Sequence, residues 1–68
     1  MKIALSVEEL KFLNKIDVLI KPEKDYREDE IESFLDEIYF NESTNVGYDN
    51  EAAKKYASIA DKIESQRN

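Results

Sequence analysis

The 68-residue chain holds one proline, Pro22, and one glycine, Gly47, and these two breakers confine what it can fold into. Proline lacks the N–H that a helix interior needs and pushes the residue before it out of the helical region. Lys21-Pro22 therefore closes any helix begun upstream. Gly47 lies within Asn41-Glu42-Ser43-Thr44-Asn45-Val46-Gly47-Tyr48, a run of turn-forming residues that reads as a second break. Three stretches remain, each with apolar residues at helical spacing. The pattern predicts one small all-α domain over residues 1–68, a three-helix domain with a short extended N-terminal segment.

The first helix has the clearest start. In Ser6-Val7-Glu8-Glu9 the serine hydroxyl can accept from the Glu9 N–H while the Glu9 carboxylate reaches back to the Ser6 N–H, and Leu5 and Leu10 stand where a hydrophobic staple would put them. Helix 1 is placed at about 7–19, after an extended Lys2-Ile3-Ala4-Leu5. At about 100° per residue, Leu10, Phe12, Leu13, Ile16, Leu19 and Ile20 cover half of its circumference. That width makes helix 1 the expected centre of the core.

Helix 2 is placed at about 25–40, capped by Asp25, with several carboxylates in its first turn favouring the dipole. Ile31, Phe34, Leu35, Ile38 and Tyr39 form its apolar stripe, while Tyr26 and Phe40 fall off it. After a loop at about 41–49, helix 3 is placed at about 50–65, capped by Asp49 or Asn50. Ala52, Ala53, Tyr56, Ala57, Ile59, Ala60 and Ile63 cluster on one side of it. Four alanines there allow close approach of another helix. The last residues, Ser65-Gln66-Arg67-Asn68, are expected to fray.

Composition narrows function mainly by exclusion. The chain has no Cys and no His, which removes zinc fingers, thiol redox exchange and Ser-His-Asp or Cys-His catalysis. A calcium loop fails on spacing: with Asn41 first, position 12 is Ala52, and with Glu42 first it is Ala53, where a glutamate is required. Paired carboxylates exist, but a convex solvated helix face offers no burial to set two pKa values apart. No enzyme activity, cofactor, metal or small-molecule substrate is expected. Nothing approaches the roughly 20 apolar residues of a membrane span, and the start is too short an apolar segment for a signal peptide. The expected location is cytoplasmic.

The net charge is -6, and it is unevenly spread. Residues 23–50 carry two basic and ten acidic groups, whereas the segments on either side each carry four basic and three acidic. This balance opposes direct nucleic-acid binding, including a helix-turn-helix mode that would use Lys54, Lys55, Lys62 and Arg67. It also marks Asp29, Glu32 and Asp36 as an acidic face of helix 2. The remaining signal is surplus apolar surface, with Tyr26, Tyr39, Phe40 and Tyr48 near the ends of helix 2 and its loop. Aromatic side chains are enriched at interfaces, and small domains often complete their core by association. The expected function is a non-catalytic protein-interaction module, a homodimer or a binder of a protein partner through these rings. The alternative is an acidic modulator whose helix 2 mimics phosphates in front of a nucleic-acid-binding protein.

Overall fold

Three helices follow one another, α1 (Val7–Asn14), α2 (Glu28–Asn45) and α3 (Asn50–Ser65), in a computed structural model that describes residues 1–67. The capping box is present as predicted: the Glu9 N–H donates to Ser6 Oγ at 3.1 Å and the Ser6 N–H donates to Glu9 Oε1 at 2.7 Å. Leu5 and Leu10 both pack against the core.

α1 is shorter than its periodicity predicts, ending at Asn14 rather than near Leu19. Its end is a Schellman motif. Asp17 takes a left-handed φ of 59°, its N–H donates to the Asn14 carbonyl, and the Val18 N–H reaches back to the Leu13 carbonyl, both at 3.1 Å. Glycine is the usual residue there; aspartate is among the few others that tolerate it. Beyond the motif the chain is no longer helical, and burial alternates from residue to residue. Val18 and Ile20 turn into the core while Leu19 is 63% exposed, which corrects the single helical face drawn through Leu19 and Ile20. Pro22 then occupies the second position of a turn closed by the Lys24 N–H on the Lys21 carbonyl at 3.1 Å, a position its fixed φ suits.

α2 is displaced toward the C-terminus relative to 25–40. Tyr26 is spent on tertiary structure: its N–H donates to the Met1 carbonyl and its own carbonyl accepts from the Met1 nitrogen, each at 2.8 Å. An extended residue so paired cannot be the first turn of a helix. Capping falls instead to Glu30, whose carboxylate accepts the Arg27 N–H at 3.0 Å. At its far end α2 continues through part of the expected loop. Asn41 and Asn45 each donate to the carbonyl four residues back, at 2.8 and 2.7 Å, and Thr44 donates to the Asn41 carbonyl at 3.1 Å. Polar side chains that often favour turns here bond back onto the helix. The break comes at Gly47, whose φ of 81° is the left-handed conformation glycine adopts without steric cost. Asp49 then caps α3 by accepting the Ala52 N–H at 3.1 Å.

α2 and α3 form an antiparallel hairpin, and this pair, rather than α1, is the centre of the core. Ile31, Leu35 and Ile38 of α2 meet Tyr56, Ile59, Ala60 and Ile63 of α3. α1 contributes only Leu13 as a fully buried side chain, while Ile3, Val18, Ile20 and Tyr26 come from segments outside the helices. Residues 65–67 do not fray. The Gln66 amide holds both polar groups of Ala4, accepting its N–H at 2.7 Å and donating to its carbonyl at 2.9 Å, as a neighbouring strand would. Arg67 donates to Glu28, to Glu32 at 2.5 Å and to Glu64 at 2.6 Å. Asn68 lies outside the described residues. No polar or charged residue is buried among them.

Candidate functional site

Three of the candidate residues, Asp29, Asp36 and Phe40, share one surface of α2. With Ile31, Leu35 and Ile38 facing the core, the helical step of about 100° places Asp29, Ser33, Asp36, Glu37 and Phe40 on the opposite side. Phe40 is 65% exposed. Asp36 and Glu37 stand one turn before it and Ser43 and Thr44 one turn after it, so an apolar ring projects from the middle of an acidic, polar helix face.

The carboxylates of that face are not equivalent. Asp29 accepts from Arg27 Nε at 3.2 Å, and this bond holds its carboxyl below the usual carboxylate range. Glu32 is engaged by Arg67, whose guanidinium is pushed further up by its bonds to Glu28, Glu64 and Glu32. Asp36 and Glu37 have no ion-pair partner among the described residues. The charge that remains unpaired therefore sits next to Phe40.

The four aromatic candidates separate. Tyr26 is only 6% exposed, packed edge-on against Phe34 with ring centroids 5.0 Å apart, and its hydroxyl accepts the Lys21 N–H at 2.8 Å. It belongs to the core and is removed from the candidate interface. Tyr39 is partly exposed at the edge of α2. Burial raises its phenol pKa, and the nearby charges of Glu64, Asp61 and Glu42 raise it further, so it stays a neutral donor at physiological pH. Tyr48 is 89% exposed in the α2–α3 turn, beside an exposed Val46.

A second surface has no counterpart in the sequence reading. Between α1 and α3 lies an open groove of about 630 Å³, with Phe12 and Ile59 in its lining and Lys11, Lys15, Lys55 and Lys62 around them, together with Glu8 and Glu9. The Phe12 ring packs on Tyr56 with centroids 4.7 Å apart. The ammonium groups of Lys15 and Lys55 stand 5.6 and 5.4 Å from the Phe12 centroid, within cation–π range. Lys62 is taken by Glu9 at 2.9 Å; Lys11, Lys15 and Lys55 have no ion pair among the described residues. The available signal was the spacing of Lys11 and Lys15 by four and of Lys55 and Lys62 by seven, which puts each pair on one helix face. That these faces adjoin is a tertiary fact.

Among the described residues no cluster of three acidic, Cys or His side chains is placed to hold a metal ion, and no helix is long and apolar enough to cross a membrane. One surface carries an exposed ring with unpaired carboxylates, and the other an aromatic side chain with unpaired ammonium groups beside it. No protein-family model, curated protein or solved structure matches the chain.

Proposed function

We propose that the chain is a non-catalytic, cytoplasmic protein-interaction module whose working surface is the outer face of α2, with Phe40 at its centre. The observation that carries this reading is a phenylalanine 65% exposed on the helix side that the core does not use. Moving a phenylalanine side chain from water into a protein contact gains about 1.5–3 kcal/mol. Aromatic anchors of this kind dominate interface energetics when a partner covers them. Asp36 and Glu37 beside the ring add direction and favour encounter with a basic surface. The alternative, phosphate mimicry by Asp29, Glu32 and Asp36, has less support, because Arg27 and Arg67 already engage the first two.

The reading is tested by placing the photo-crosslinker p-benzoylphenylalanine at position 40 in living cells, with position 19 as an equally exposed apolar control. A protein adduct, with the chain itself or another protein, is expected from position 40 and not from position 19. No adduct at 40, or equal adducts at both, overturns the reading. Phe40→Ser should remove partner binding while shifting stability by no more than about 0.5 kcal/mol, as for other exposed positions.

A further inference from the structure

The fold separates two complementary surfaces that one molecule cannot bring together. One is the lysine groove between α1 and α3, floored by Phe12. The other is the α2 outer face, where Phe40 projects beside Asp36 and Glu37. We infer that the groove receives the α2 outer face of a second copy of this chain, with Phe40 against Phe12 and the two carboxylates against Lys15 and Lys55. This rests on the α2 face being an interaction surface and adds what it binds.

Charge selects this occupant. In a chain of net charge -6, the groove is lined by four lysines against two carboxylates, Glu8 and Glu9; Glu9 is taken by Lys62, and Lys11, Lys15 and Lys55 have no internal ion pair in the described residues. Asp36 and Glu37 are equally unpaired. Size agrees as well: about 630 Å³ falls within the range of about 300–1,000 Å³ typical of sites that enclose a ligand, which is ample for one aromatic ring. A ring entering there would meet the Phe12 face that Lys15 and Lys55 already flank, while its neighbouring acids meet those lysines. Because α2 points its acidic face away from its own core, the contact forms only between copies. It is head-to-tail: the copy that inserts its α2 face keeps its groove free and the copy that receives it keeps its own α2 face, so further copies can add, giving a ring or an open chain. The net negative charge of each copy opposes this at long range. At about 0.1 M salt that repulsion is screened beyond about 10 Å, whereas contact pairs still act.

Sedimentation equilibrium on the full chain tests the inference with two charge-reversed variants, Lys15→Glu with Lys55→Glu and Asp36→Lys with Glu37→Lys. All four positions are exposed, so helicity should be unchanged and is checked by circular dichroism. Wild type is expected to self-associate at about 0.1 M salt and to weaken at least about tenfold at about 0.5 M. Each variant alone should be monomeric, and an equimolar mixture should associate again, because an acidic groove then meets a basic helix and the reverse. Lys55→Gln should weaken wild-type association several-fold without reversing any charge. A wild-type monomer at high micromolar concentration overturns the inference, and if Lys15→Glu with Lys55→Glu then abolishes binding of a labelled DNA duplex, the groove belongs to nucleic acid. Association that resists salt and both reversals but is lost in Phe40→Ser overturns the groove as receptor while leaving the α2 face as an interaction surface.

Discussion

Replacing Ile3 by alanine measures whether the N-terminal segment belongs to the core. Ile3 is 0% exposed and packs in the same cluster as Leu13, Ile31 and Ile63. Truncating a buried isoleucine to alanine removes its transfer free energy and leaves a cavity, together about 2–5 kcal/mol. A domain of this size without disulfides holds about 3–5 kcal/mol in total. Taking about 3 from about 4 leaves about 1 kcal/mol, a folded-to-unfolded ratio of about 5, so about 15% of the chains are unfolded before any denaturant is added. With a urea slope of about 1 kcal/mol/M for so small a chain, the unfolding midpoint falls by about 3 M. Urea titration followed by far-ultraviolet circular dichroism reads this directly. Leu19→Ala is the matched control: that side chain is 63% exposed, and its loss should move stability by no more than about 0.5 kcal/mol. A midpoint shift below about 1 M for Ile3→Ala, or an equal shift for Leu19→Ala, refutes the assignment of core and surface.

Three further outcomes follow from the same structure. Gln66→Ala removes both hydrogen bonds to the Ala4 backbone and should cost about 1 kcal/mol, with faster hydrogen exchange at the Ala4 amide as its specific readout; unchanged exchange there refutes the clasp. Asp17→Val forces a β-branched residue into the left-handed region and should destabilise by about 1–2 kcal/mol, while Asp17→Gly should not; equal effects contradict the Schellman end of α1. The last concerns pH. Partial burial pushes the Glu9 carboxyl up, but the bonds from the Ser6 N–H, Lys62 and the Ser6 hydroxyl outweigh it and hold the group below the usual glutamate value. A depressed folded-state pKa means that the unfolded chain binds the proton more readily, so this stabilisation is complete above about 4.5 and is lost as pH falls through the lower folded value. Glu9→Gln should flatten that part of the stability–pH curve, and an unchanged curve would remove Glu9 as its source.

The candidate site was legible in parts. Exposure of Phe40 and the acidity of its surroundings both follow from the helical spacing of α2, which any helix over those residues would repeat. Tyr26 was not legible, because its helical position says nothing of the extended stretch that carries it inward to Phe34 and Met1. The lysine groove was not legible either. It is made by two helices more than 30 residues apart in sequence, and no local spacing reports which faces adjoin.

What the sequence by itself determined is local. Its capping box sets the start of α1 and its glycine the break before α3, because each acts on the dihedral angles and orphan N–H groups of its immediate neighbours; its proline does not end α1, which stops at Asn14 before reaching it. The fold decided everything that requires two distant segments to compete. Leu19 and Ile20 fit a continuing helix as well as an alternating strand, and the choice fell to Asp17, turned left-handed so that Val18 could join Leu13 inside. Likewise Gln66 and Arg67 would fray in an isolated helix. They are ordered here because Ala4, Glu28 and Glu32 stand within reach, and that proximity exists only once the core has brought both ends of the chain together.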